Sequence, residues 1–122
     1  MLKPNNTHCN AEEMLRVRSL ILDAPDSEFN MGSFCGTARC IAGWAVSRAA
    51  SELEGGIKRA ATRVLGLSAV QADRLFLPKN DNGKYDGLRI DGGIYSITRE
   101  KAAQAIDNVI ADGMPHWQDI LA

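Results

Sequence analysis

Two consecutive short helices are encoded by Ile57-Lys-Arg-Ala-Ala-Thr-Arg-Val-Leu-Gly-Leu-Ser-Ala-Val-Gln-Ala-Asp-Arg-Leu-Phe76. The first half of this segment has apolar residues at the i, i+3, i+4, i+7 and i+8 spacing of one helical face. These residues are Ile57, Ala60, Ala61, Val64 and Leu65. Gly66 ends this helix, as glycine commonly does. Ser68 and Gln71 then form a capping box for a second helix, whose apolar residues are Val70, Ala72, Leu75 and Phe76.

Residues 11–23 are predicted to form the first helix of the chain. Asn10 is a suitable N-cap, and Glu13 three positions later completes a pattern close to a capping box. Pro25 ends the helix because proline cannot continue it. Residues 1–9 are polar and show no periodicity, so we expect them to form a flexible N-terminal arm.

Another helix is predicted to begin at Gly36-Thr37, to run towards Leu53 and to end at Gly55-Gly56. Its apolar residues surround most of the helix axis, which is typical of a central, buried helix. Gly43 in its middle costs about 1 kcal/mol of helix propensity relative to alanine. We therefore expect another element to pack closely against that position.

The C-terminal third predicts two more helices. Thr98 caps the longer one and Gly113 ends it, and its apolar stripe comprises Ala102, Ala105, Ile106, Val109 and Ile110. Pro115 can occupy the first turn of a last short helix, which is expected to end at Leu121.

These patterns together predict a mainly α fold, a compact bundle of five or six short helices with at most one small β-hairpin. The hairpin would pair residues 88–90 with residues 94–97 around Asp91-Gly-Gly93. The connections between helices are too short for a parallel β-sheet with crossover helices. A chain of 122 residues is typical of one domain, so residues 10–122 are expected to form a single helical domain.

The composition is that of an ordinary globular protein, with 45% hydrophobic and 24% charged residues. The net charge of -1 argues against general nucleic-acid binding. The longest apolar run, Cys40–Val46, is far shorter than the roughly 20 residues of a membrane-spanning helix. Three cysteines are too few for a secreted disulfide scaffold, and the N-terminus lacks the apolar part of a secretory signal. We therefore expect a cytoplasmic protein with free thiols and no membrane partner.

Positive charge is concentrated in the middle of the chain. Residues 37–76 carry six basic and three acidic side chains, whereas residues 77–122 carry five basic and seven acidic ones. Lys58, Arg59 and Arg63 lie on the polar face of their helix and form the nearest feature to a basic patch. This face is either simply solvated or a contact surface for an acidic partner.

Cys35 is the first candidate for chemistry, because it precedes the predicted start of a helix. The helix dipole and its free N–H groups stabilise a thiolate at such a position. A nucleophilic cysteine also needs a base, and the chain offers only His8 and His116. A Cys35/His116 pair is therefore one hypothesis, and a redox-active Cys35 is a variant of it.

A zinc site is the second candidate. Cys35 and Cys40 have C-x4-C spacing, and His8 with Cys9 could complete a four-ligand set. The alternative is structural: Cys40 is a small apolar residue of the core and Cys35 is partly shielded. No other cofactor-binding pattern is present, so we expect no cofactor.

Several segments resemble a family of small bacterial and phage-encoded proteins that has no assigned activity. The segments are Phe29-Asn-Met31, Cys35-Gly-Thr-Ala-Arg-Cys-Ile-Ala-Gly-Trp-Ala45, Leu65-Gly-Leu-Ser-Ala-Val-Gln-Ala-Asp-Arg-Leu-Phe76, Ile97-Thr-Arg-Glu-Lys-Ala-Ala103 and Trp117. The specific part is the Cys-Gly-Thr-x-x-Cys-x-Ala-Gly-Trp pattern, and the rest is weaker helical patterning. His8, Cys9 and His116 do not belong to the family's pattern.

The resemblance implies a lineage rather than a reaction. Small proteins from mobile elements often bind a host protein, and some inhibit host defence, so the resemblance implies a protein partner. Our first hypothesis is therefore a non-enzymatic protein-binding module of phage or prophage type that uses Lys58, Arg59 and Arg63. The alternatives are a thiol-dependent enzyme or redox protein that uses Cys35, and a small zinc-stabilised module.

Overall fold

A computed structural model describes residues 9–24, 29, 41–46, 57–84 and 97–121. In these ranges the chain forms six α-helices and no strand. The helices are α1 (Ala11–Asp23), α2 (Ile41–Ala45), α3 (Ile57–Leu65), α4 (Ala69–Phe76), α5 (Arg99–Asp112) and α6 (Trp117–Ile120). The prediction of a mainly α bundle is confirmed.

The three predicted N-caps begin their helices as expected. The Asn10 side chain accepts a hydrogen bond from the Glu13 N–H at 3.2 Å, and Thr98 caps α5 in the same way. Ser68 and Gln71 form a complete capping box, in which each side chain accepts from the backbone N–H of the other residue. These bonds satisfy donors that have no partner inside the helix.

Glycines end α3 and α5 in left-handed backbone conformations. Gly66 has φ +65° and Gly113 has φ +97°. Directly before Gly66, the Leu65 carbonyl accepts a hydrogen bond of 2.8 Å from the Asn10 N–H. The end of α3 is thereby fixed to the start of α1.

The core lies between α1, α5 and the shorter helices packed around them. α1 packs against α5 and α2, and α2 packs against α3. Gly43 of α2 is buried, as are its helical neighbours Ile41, Ala42 and Ala45, which agrees with a central helix that allows close packing. The largest fully buried side chains are those of Trp117, Phe76, Met14, Ile21, Ile41, Leu65, Leu75 and Ile106.

Two details differ from the sequence-based predictions. Val70 of α4 is 47% exposed, because it lies about 200° around the helix axis from the buried Ala72. The last helix begins at Trp117 rather than at Pro115, because His116 has a left-handed conformation (φ 57°, ψ 45°) that is not helical.

Several predictions concern residues outside the described part of the chain. They are most of the N-terminal arm, the start of the second predicted helix and its continuation beyond Val46, and the hairpin apart from Ile97. Helix α2 ends at Ala45 and Val46 lies in a turn, so the prediction of an uninterrupted helix towards Leu53 is wrong at this position. In the part that is described, no helix has the length and apolar character needed to cross a membrane.

Candidate functional site

A groove between α3 and α4 brings together the three basic residues that the sequence singled out. Lys58, Arg59 and Arg63 are all exposed. They line an open cavity of about 570 Å³, together with Thr62 of α3 and with Ala69 and Ala72 of α4. We call this cavity the basic groove.

The groove follows from the residue pattern of the two helices. α3 turns Ala60, Ala61 and Leu65 into the core, which leaves its basic residues on the outer face. On α4, the described residues that line the cavity are the exposed Ala69 and the buried Ala72. These small side chains leave space that larger residues would fill.

The positive charge of the basic groove is only partly neutralised. Lys58 Nζ lies 3.9 Å from Asp73 Oδ1. Asp73 already accepts hydrogen bonds from Lys79 Nζ at 2.9 Å and from Arg74 Nη1 at 3.0 Å. The hydrogen bond from Lys79, assisted by the positive charges of its neighbours, lowers the pKa of Asp73 below its usual value.

Unlike Lys58, the two arginines of the groove have no described carboxylate partner. Within the described ranges, no carboxylate lies within ion-pair distance of Arg59 or Arg63. The basic groove therefore offers two exposed guanidinium groups that form no ion pair with the described part of the chain. A guanidinium suits a carboxylate especially well, because its N–H groups can contact both carboxylate oxygens.

A second cavity, of about 460 Å³, lies on the other side of the α4 N-terminus. Leu67, Val70 and Met114 contribute its apolar surface, while Gln71 and Asp112 contribute polar groups. The Gln71 side chain already donates to the Gly113 carbonyl at 3.1 Å. This cavity therefore has mixed chemistry and no group of unpaired charges.

His116 lies between the carboxylates of Asp81 and Asp112. Its Nδ1 is 2.5 Å from Asp81 Oδ2, and its Nε2 is 2.8 Å from Asp112 Oδ2. Asp81 also accepts from Gln118 Nε2 at 2.9 Å. The turn at residues 79–84 is thereby joined to the end of α5 and the start of α6. We call this arrangement the histidine bridge.

The histidine bridge favours a charged imidazole, because only the imidazolium can donate from both ring nitrogens at once. The hydrogen bond to Asp112, together with that to Asp81, raises the pKa of His116 above its usual value, although partial burial opposes the shift. A general base needs an uncharged ring nitrogen. In this arrangement His116 joins structural elements and does not present a free nitrogen.

The cysteine hypotheses depend mainly on residues outside the described ranges. Cys35, Cys40 and His8 lie there, so the Cys35/His116 pair and the four-ligand zinc site stay predictions. Cys9 is described: its thiol is buried, and burial raises its pKa. Where side chains are described, no three His, Cys, Asp or Glu residues are grouped so that they could hold a metal ion.

Sequence reasoning did not identify the histidine bridge. Asp81 lies in a turn-rich segment that is 35 residues from His116, and an aspartate in such a segment is ordinarily a turn residue. One local signal was available: Asp112 and His116 are four positions apart on either side of the helix-ending Gly113. That spacing does not reveal the second carboxylate.

Comparison with known proteins found no match: no protein-family model, no curated protein and no solved structure matches the chain.

Proposed function

We propose that the protein is a non-enzymatic protein-binding module and that it contacts an acidic partner through the basic groove. The observation that supports this proposal is the pair of exposed guanidinium groups of Arg59 and Arg63. In the described part of the chain, no carboxylate lies within ion-pair distance of either group. Arginine is enriched among the residues that dominate binding energy at protein interfaces.

Charge complementarity determines which partner fits. Opposite charges across an interface accelerate association and exclude partners of the wrong sign. The whole chain has a net charge of only -1, so the positive field is local to the groove. This distribution favours recognition of one acidic site over general attraction to polyanions.

The resemblance to bacterial and phage-encoded proteins supports a more specific version of this function. We propose a protein of phage or prophage type that acts in the host cytoplasm, where it binds a host protein and inhibits or modulates it. A host defence protein is a partner of this kind. The low cysteine count is compatible with the reducing environment of the cytoplasm.

Affinity capture from host lysate tests the proposed function. The tagged wild type is compared with the double variant Arg59→Glu/Arg63→Glu, and captured proteins are identified by mass spectrometry. The matched control is Lys84→Glu/Lys101→Glu, which makes the same charge change at two exposed lysines outside the groove. We expect one partner that the wild type and the control retain and the arginine variant loses. Equal capture by all three proteins would refute the role of the groove.

A further inference from the structure

We infer that the basic groove binds an acidic segment of the partner protein in which two carboxylates are one helical turn apart, with small apolar side chains between them. This inference rests on the proposed function and specifies the ligand of the same groove. The spacing of the two arginines, the lining of the groove and the ion pairs of its basic residues in the described part of the chain support it independently.

The spacing of the carboxylates follows from the positions of Arg59 and Arg63. Both belong to α3 and are four positions apart, so they lie on the same side of the helix. The Cβ atoms of such a pair are about 5–6 Å apart. A helical partner segment with acidic residues at i and i+4 has the same spacing, so each guanidinium can meet one carboxylate when the two helices lie side by side.

The lining of the groove determines the side chains between the carboxylates. The α4 side of the groove consists of the exposed Ala69 and the buried Ala72, and the Thr62 hydroxyl already donates to the Lys58 carbonyl at 2.6 Å. The lining between the charges is therefore small and largely apolar. Alanine-sized side chains fit against it without leaving a polar group unpaired, whereas long polar side chains would lose hydrogen bonds to water.

The same lining favours a peptide over a nucleic acid. Among the described residues that line the groove, none is aromatic, so these residues give bases no side chain on which to stack. Asp73 lies beside Lys58 and places a negative charge at the edge of the groove. The three basic residues described in the groove are also fewer than the phosphate contacts that give nucleic-acid binding its strength.

Fluorescence anisotropy with two labelled helical peptides of identical composition tests the inference. One peptide has its two glutamates at i and i+4, separated by alanines, and the other has them two positions apart on opposite helix faces. We expect the first peptide to bind about two- to fivefold more tightly, because the second peptide can form only one of the two exposed ion pairs at a time. Arg59→Gln/Arg63→Gln should remove this preference, while Lys84→Gln/Lys101→Gln should preserve it.

The outcomes separate this inference from the proposed function. Equal binding of the two peptides, no binding at millimolar concentration, or displacement of the first peptide by an oligonucleotide of equal charge would each overturn the inference. If the natural partner is still lost from Arg59→Glu/Arg63→Glu in that case, the protein-binding function stands and only its ligand specification fails. If partner capture does not depend on the arginines, the proposed function fails whichever peptide binds.

Discussion

Replacement of His116 by asparagine removes the charge that joins the turn at 79–84 to the end of α5. Asparagine is the best substitute because it tolerates the left-handed backbone of this position better than most residues (φ 57°, ψ 45°). It is also too short to span the distance between Asp81 and Asp112. The variant therefore tests the histidine bridge and introduces little backbone strain.

The expected loss of stability follows from the two contacts. The hydrogen bond between the imidazolium and Asp81 is partly buried, and a bond to a charged group in such a place contributes about 1.5 kcal/mol. The pair with Asp112 contributes about 0.5 kcal/mol, since the Asp112 side chain is 60% exposed. At pH 5.5 the free energy of unfolding should therefore be lower by about 2 kcal/mol in His116→Asn.

The difference in the free energy of unfolding between the wild type and His116→Asn should become smaller as the pH rises. The pKa of His116 is raised in the folded state, mainly by the hydrogen bond to Asp112 and also by Asp81. A group of this kind stabilises the fold fully below its unfolded pKa, and the stabilisation is lost as the pH rises through the folded pKa. The wild type should thus lose stability relative to His116→Asn as the pH rises above about 6.5, the ordinary histidine pKa.

Urea denaturation measures this difference, with tryptophan fluorescence as the probe because Trp117 is fully buried. Unfolding curves are recorded from pH 5.5 to pH 8.5 for the wild type, for His116→Asn and for His8→Asn, which changes the chain's other histidine. The His8 variant should follow the wild type. A gap between wild type and His116→Asn that stays constant with pH would refute the ion-pair account, and so would the absence of any gap.

Two further predictions concern glycines with positive φ and the buried Cys9. Gly66→Ala should cost about 2 kcal/mol, because φ is +65° and the new Cβ would lie 2.9 Å from the Asn10 backbone nitrogen. Gly83→Ala should cost less, because its Cβ would meet only the flexible end of the Arg74 side chain; equal losses in urea denaturation would contradict this reasoning. The Cys9 thiol should react with iodoacetamide much more slowly in the native protein than in urea, because burial raises its pKa, and site-resolved mass spectrometry that shows equal rates would contradict it.

Helix ends could be predicted from the sequence because they depend on local chemistry. Asn10, Ser68 and Thr98 each bond to a backbone group three residues away, so the cap and its partner appear together in the sequence. Gly66 and Gly113 provide left-handed conformations that other residues rarely adopt. The basic residues of α3 could be assigned to its polar face for the same reason, since helical periodicity places them there.

Contacts between distant segments could not be predicted in this way. The histidine bridge depends on how the turn at 79–84 packs against the C-terminal segment, and no periodicity encodes that arrangement. The exposure of Val70 likewise depends on which face of α4 meets the core. The alanine lining of the basic groove became evident only when α3 and α4 were seen side by side, because Ala69 and Ala72 alone indicate no site.

The central claim is that Arg59 and Arg63 bind an acidic protein partner, and its most direct test is the dissociation constant of the purified partner. The constant is measured for the wild type, Arg59→Glu/Arg63→Glu and Lys84→Glu/Lys101→Glu at low and at high salt. We predict a loss of about tenfold or more for the arginine variant at low salt, with little change for the lysine variant, and a difference that shrinks as salt screens the charges. Equal dissociation constants for all three proteins at low salt would contradict the account.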